Sequence, residues 1–449
     1  MRRRRRPTVL LGLLGLLVLL LAGLVGGYWY ERPLLRTGTG YAAHNACAVT
    51  FIAGRGRPES DLPPNPLVPV LTTRVTDGEA STSIAGLLAR QSATYDRATG
   101  CTLGGVEKDP DPAPIPPFGT APLESQAVPK ADPATEALLD KAFGDDLTGA
   151  ARADLGTRAV VVVEHGRLVA ERYADGFTRD TPQLGWSMTK SVTNLLTGRL
   201  VLEGTVKVTD AGLRPEWTDD RSRITVDDLL RMTSGLAWDE TYDLGTPITR
   251  MLYDERDMGA FVASQRSAHP VGTYQQYSSG STTLLCSVLG AKTGASTSLV
   301  PSRLLAPLGL RHAVMETDGV GNPVCSSYLW ATPREWAAIG QFALQDGVWE
   351  GRRLLPEGWM RESTTVKAVA ASEEVGYASS SWVNRLPDGT LVQPSLPADT
   401  YWMQGHDGQR LFVVPSAGLV VVRLGFSPAM SGRDPAVVPL VAALASTRG

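Results

Sequence analysis

Lysine is scarce in this chain: only seven of its 43 basic residues are lysines, at positions 108, 130, 141, 190, 207, 292 and 367. The net charge is −3, and five of the positive charges lie in one terminal run, Arg2–Arg6, so the rest of the chain is mildly acidic. A body of that sign offers no basic groove for nucleic acid. Cysteine is limited to Cys47, Cys101, Cys286 and Cys325, with no CxxC pair and no CxxC…HxxxH spacing. Zinc chemistry therefore has no support, and neither a metal nor any other cofactor is expected. There is no fixed-period repeat and no heptad run, so a solenoid or coiled coil is not indicated and the oligomeric state is left open. Glycine (46) and proline (31) in 449 residues stay below the level of a low-complexity chain.

What the N-terminus does have is a long apolar run. Thr8 to Tyr30 carries no charge and is flanked by the arginines on one side and by Tyr28-Trp29-Tyr30 on the other. As a helix this run is ~34 Å long, enough to cross a bilayer. The aromatics suit an interfacial belt, and the arginines belong on the cytoplasmic side. Residues 1–30 are therefore read as an uncleaved single-pass anchor with the body outside the cell membrane. The competing reading is a signal peptide cleaved near Val25-Gly26-Gly27, which would release a secreted body. Four cysteines fit an oxidising compartment. Since Cys47 and Cys101 both precede the main body, the pairs Cys47–Cys101 and Cys286–Cys325 are favoured.

Beyond the anchor, residues 31–130 form a segment of unassigned role. Ser81–Arg97 reads as a helix around Ile84, Leu87 and Leu88, and Asp109–Gly119 (DPDPAPIPPFG) as a proline-rich break. The body, residues 131–449, opens with a helix over Pro133–Phe143 that places Ala134, Ala137, Leu138 and Ala142 inward. Arg158–Tyr173 follows as two strands around His165-Gly166. Leu411–Leu424 reads as a second hairpin around Pro415–Gly418, and Pro435–Ala445 as a closing helix. The stretch 187–370 is largely helical. Both chain ends thus contribute to one α/β unit, with a helical unit inserted between them.

Gly185-Trp186-Ser187-Met188-Thr189-Lys190-Ser191 opens a helix with Val192, Leu195, Leu196 and Leu200 on its apolar side. Residues three apart share a helix face, so Ser187 and Lys190 can touch. A serine hydroxyl needs a base beside it, and lysine serves only when burial or a nearby cation makes it neutral. About half a Ser-x-x-Lys pair is expected by chance, so the motif alone decides nothing. Ser187 as a helix N-cap and Lys190 as a solvated lysine are the plain alternatives. A Ser-His-Asp arrangement with His406 and Asp407 is disfavoured, because no Gly-x-Ser-x-Gly elbow surrounds Ser187.

Two further motifs follow in order: Tyr277-Ser278-Ser279 before a helical run, and His406-Asp407-Gly408 before the Leu411 strand. With Trp186–Ser191 (WSMTKS), Leu229–Gly235 (LLRMTSG), Ser326–Arg334 (SSYLWATPR) and Gln404–Arg410 (QGHDGQR), residues 135–449 resemble the serine β-lactamase and penicillin-binding-protein superfamily. The closer likeness is to its class C-like branch of esterases and aminohexanoate-dimer hydrolases. The resemblance implies an antiparallel sheet flanked by terminal helices, with an inserted all-helical subdomain. It implies Ser187 as acylated nucleophile, and Lys190 and Tyr277 as acid and base. It also implies the backbone N–H groups of Ser187 and Gln409 as the oxyanion hole. Ser279, His406, Gly408, Tyr242 and Trp330 are the expected substrate-side residues.

The departures bear on the substrate. His406 stands where β-lactamases carry a residue that clamps an anionic carboxylate, and a neutral histidine is a poorer clamp. Ser279 stands where an asparagine amide is frequent. Both favour an ester or amide hydrolase acting on a small molecule over a β-lactamase, penicillin-binding protein or DD-peptidase. A non-catalytic cell-envelope binding protein is the remaining alternative. Asp227-Asp228 and Glu373-Glu374 read as helix-start or surface charge.

Overall fold

The computed structural model describes residues 6–107, 119–127, 130–430 and 433–446. The arginines Arg2–Arg5 and nearly all of the proline-rich break at 109–119 lie outside the described residues.

A six-stranded antiparallel sheet organises the body. Besides β5 (Thr157–Glu164) and β6 (Arg167–Tyr173), it contains β7 (Trp382–Val383), β8 (Tyr401–Gln404), β9 (Arg410–Val414) and β10 (Leu419–Gly425), in the order β7-β8-β9-β10-β5-β6. The early and late hairpins therefore meet at the centre, with Val162 opposite Val421. Successive side chains in a strand point to opposite faces. Val160, Val162, Phe412 and Val421 pack against the terminal helices α2 (Pro133–Ala142) and α6 (Val438–Ser446). Val161, Val163, Leu411 and Val420 pack on the other side, against the helical unit. Burial on both faces explains why these strands read as unbroken apolar runs.

That unit contains α3 (Met188–Leu202), α4 (Ser279–Thr293) and α5 (Pro333–Leu344). Val192, Leu195, Leu196 and Leu200 of α3 are all buried, as the periodicity predicts. In α2 the inward face differs from the expected one. Thr135, Leu139 and Ala142 are buried, whereas Ala134 and Ala137 are exposed. The large Leu139 side chain claims the contact that the small alanines would leave partly empty.

The N-terminal helix α1 spans Arg6–Phe51 and does not stop at residue 30. Its first half, Leu11 to Gly27, is exposed, and from Thr37 to Val49 it is almost wholly buried against the body. Residues 71–103 are not helical. They form a four-stranded antiparallel sheet of β1 (Leu71–Thr76), β2 (Glu79–Ile84), β3 (Leu88–Asp96) and β4 (Gly100–Leu103). The expected helix fails at Ala85-Gly86, where both residues take left-handed backbone, with φ of 49° and 78°. Beyond that turn, burial alternates with period two: Ala89, Gln91 and Ala93 face inward, and Arg90 outward. The cysteines pair as favoured, Cys47 with Cys101 and Cys286 with Cys325. A buried carboxylate joins this layer to the body. Glu316 accepts from Cys101 N (2.9 Å) and Trp330 Nε1 (2.8 Å), and lies 3.2 Å from His44 Nε2 of α1.

Candidate active site

Ser187 sits immediately before α3 and makes no capping hydrogen bond, so its hydroxyl is not spent on the helix end. The preceding residue, Trp186, holds left-handed backbone (φ 49°), a conformation that costs a bulky side chain energy and is kept only by surrounding packing. Four rings supply that packing: Tyr41, Tyr242 and His406 lie edge-on to the indole, with centroids 6.1, 6.2 and 5.6 Å away, and Tyr328 lies tilted at 6.3 Å. Two glycines let the segments close up. A Cβ on Gly405 would stand 2.2 Å from the Gly185 carbonyl, and one on Gly185 would stand 2.1 Å from the Trp336 ring.

Lys190 lies one turn into α3, 1% exposed. Its Nζ is 2.8 Å from Ser187 Oγ, 2.8 Å from Ser279 Oγ and 3.2 Å from the Ser326 carbonyl. Burial pulls its pKa down to about 8, with Glu240 opposing. Roughly one amine in ten is then neutral at pH 7. Tyr277 lines the same cavity as Ser187, and its ring lies 4.7 Å from Lys190 Nζ. Burial first, then the charge of Glu240, pushes the Tyr277 pKa well above its ordinary value, so the phenol keeps its proton. The ring is held by Tyr377 (5.3 Å, edge-on) and Trp382 (6.0 Å, stacked).

Ser187 and Tyr277 open into a cavity of about 590 Å³ that Tyr242, His406 and Gly408 also line. His406 Nδ1 lies 2.9 Å from Asp407 Oδ1. Burial lowers the imidazole pKa and the Asp407 charge raises it, with a net upward result. Arg423, buried within β10, donates to the Gly408 carbonyl at 2.8 Å and braces this turn from below.

Three expected residues are placed differently. Gln409 does not line the cavity. Its N–H points to the His406 carbonyl at 3.4 Å, and its amide is bound to Gly425 at 2.6 and 3.0 Å. Trp330 packs under α1 against Glu316, away from Ser187. Ser279 is fully buried and serves Lys190, not the open cavity. Sequence reasoning also missed Glu240. Its carboxylate accepts from Ser279 Oγ, from Ser279 N (2.8 Å) and from Trp238 Nε1 (2.5 Å), which places a negative charge one hydroxyl away from Lys190. Its position two residues before Tyr242 was the available signal. Glu374, read as surface charge, instead faces the cavity, and burial pushes its pKa up to about 7. Trp382 carried no local signal.

A buried lysine touches a helix-opening serine, with a protonated tyrosine beside them, on a body built around an antiparallel sheet. A model of the Beta-lactamase family matches residues 142–436, and the chain belongs to that family. It is 24% identical over 344 residues to the 6-aminohexanoate-dimer hydrolase of Paenarthrobacter ureafaciens, covering 68% of this chain and 83% of the relative. In structure it is similar to a putative 6-aminohexanoate-dimer hydrolase from Bacillus anthracis (TM-score 0.55, 20% identity, 77% and 87% of the two chains). It is also similar to a penicillin-binding protein homolog from Caulobacter crescentus (TM-score 0.55, 17% identity, 72% and 100%). These likenesses establish the β-lactamase and penicillin-binding-protein fold and a hydrolase family.

Proposed function

We propose that the chain is a membrane-anchored serine hydrolase that cleaves an ester or amide through an acyl-enzyme. The observation that carries this reading is the 2.8 Å contact between Lys190 Nζ and Ser187 Oγ, made by an amine that burial brings to a pKa of about 8. Ser187 Oγ attacks the substrate carbonyl as its proton passes to Lys190, so Lys190 is the base. Tyr277, held protonated, donates to the leaving oxygen or nitrogen and recovers a proton through Lys190. Water then attacks the acyl-enzyme and releases the acid. Among the described residues, the backbone N–H groups of Ser187 and His406 have no protein acceptor, and both residues line the cavity. They, not Gln409, form the proposed oxyanion hole.

The cavity also bears on substrate class. Glu240, Asp243, Glu374 and Asp407 line it, with Arg410 as its one arginine. That lining disfavours an anionic substrate such as a β-lactam and supports a neutral ester or amide. The anchor reading rests on α1, whose apolar half is exposed, and on the two disulfides, which suit an extracytoplasmic body. The test is a fluorophosphonate probe followed by peptide mapping. One label on Ser187, lost in Ser187→Ala, is the expected result, together with faster turnover of p-nitrophenyl butyrate than of nitrocefin. A folded protein that takes no label would refute the enzymatic reading.

A further inference from the structure

The turn between β2 and β3 presents an apolar tip to the outside. Ala85, Gly86, Leu87 and Leu88 are all exposed, Leu87 by 80% and Leu88 by 43%. Val70, 47% exposed, lies against them, its carbonyl accepting from Ala85 N at 2.9 Å. Contiguous exposed aliphatic side chains on a small turn mark a contact surface.

Three contacts fix where this tip points. Ala89 N donates to Tyr28 Oη at 3.1 Å, and its carbonyl accepts from Thr39 Oγ1 at 2.6 Å. Six residues on, Tyr95 stacks on Phe51 at 5.4 Å. Strand β3 therefore climbs alongside α1 in the same direction, and its start is the end nearest the apolar half of the helix. The helix rises ~13 Å from Tyr30 to Thr39. Leu87 lies in the turn two residues before Ala89, at most ~7 Å further toward the apolar half. Ala89 is hydrogen-bonded to Tyr28 of the aromatic belt, so the turn beyond it lies at the level of the interfacial layer, which is roughly 5–7 Å thick on each side of a bilayer. Arg74 and Arg90 are exposed just above the tip, on the side where lipid phosphates would lie.

We propose that the β2–β3 tip, with Val70, Leu87 and Leu88, inserts into the interface of the same bilayer that α1 crosses. It is a second membrane contact, and it sets the orientation of the catalytic body on the lipid surface. All four native cysteines are in disulfides, so one introduced thiol can carry a polarity-sensitive fluorophore. The experiment places it at Leu87→Cys, Leu20→Cys or Asp77→Cys in the full chain. Asp77 lies in the turn at the far end of β2 and serves as the aqueous control. Each protein is reconstituted in phosphatidylcholine–phosphatidylglycerol vesicles with and without a nitroxide lipid, and its fold is checked by circular dichroism. The expected result is at least twofold quenching at positions 20 and 87 and none at 77. Quenching at 20 but not at 87 overturns the tip contact alone. No quenching at either position overturns the span as well. A blue shift at 87 without quenching indicates contact with protein and also overturns the proposal.

Discussion

Replacing Glu240 with Gln tests the proposed base directly. The carboxylate reaches Lys190 through one hydroxyl, that of Ser279, and two hydrogen bonds in series put the charges at most about 5.5 Å apart. Coulomb attraction at that distance is about 3 kcal/mol at an effective dielectric of 20 and about 0.8 kcal/mol at 80. Divided by 1.36 kcal/mol per unit, this holds the Lys190 pKa up by roughly 0.5–2 units. Lys190 is active as a base only when neutral, so activity should rise with pH through its pKa of about 8. Removing the negative neighbour lowers that pKa. The rising limb of kcat/KM against pH should therefore move to lower pH by about 0.5–2 units. The cost falls on packing, because Trp238 Nε1 and Ser279 N both donate to Glu240 and a glutamine amide can accept only some of these bonds. A stability loss of about 1–3 kcal/mol is expected and is measured separately by thermal unfolding. A limb that stays in place, or moves to higher pH in a folded variant, would refute Lys190 as the base.

The remaining predictions concern how the site is held. Gly405→Ala puts a Cβ 2.2 Å from the Gly185 carbonyl and must push the Ser187 turn aside, so kcat should fall by about 100-fold and stability by about 1–3 kcal/mol; steady-state kinetics on a chromogenic ester and thermal unfolding decide it. The Cys47–Cys101 and Cys286–Cys325 bonds close loops of 54 and 39 residues, so loss of either should cost about 4 kcal/mol on the chain-entropy estimate, read from denaturant unfolding with and without reductant. A chain starting at residue 31 should fold and take the fluorophosphonate label, whereas one starting at residue 52 should not. The second lacks the buried Tyr41–Val49 stretch and Cys47, and its soluble yield and labelling settle the matter.

That Ser187, Lys190 and Tyr277 come together was legible from one local spacing and one motif order. Ser187 and Lys190 meet through the helix repeat alone, and Tyr277 follows from the family's motif order. The hairpins were legible because their strands are apolar without interruption. Ser81–Arg97 misled because Ile84, Leu87 and Leu88 imitate helical spacing, whereas in the structure they belong to a strand end and an exposed turn. Trp382 was not legible as a site residue, and Glu240 only through its closeness to Tyr242. Nothing else in their neighbourhoods separates a carboxylate aimed at Ser279, or an indole stacked on Tyr277, from ordinary loop and strand residues. Gln409 was assigned by its position in a motif, and its side chain is bound to Gly425. The turn at Asp407 takes left-handed backbone (φ 55°), which leaves the His406 N–H free at the cavity and commits Gln409 to Gly425.

The nucleophile turn depends on segments far apart in sequence. Trp186 carries the backbone strain that presents Ser187, and strain of this kind persists only where packing leaves no alternative. Its neighbours come from α1 (Tyr41), from the loop that also supplies Glu240 (Tyr242) and from the turn after β8 (His406). Tyr41 is in turn stacked on Tyr253 at 4.5 Å, so the N-terminal helix is wedged between the nucleophile turn and the helical unit. One continuous helix thus links the exposed apolar stretch to the residue that precedes Ser187. The stretch 37–49 is for that reason part of the body's core and not a tether. A tether would tolerate insertions, whereas under the proposed anchor a helix that packs on Trp186 would fix both the height and the rotation of the site relative to the membrane.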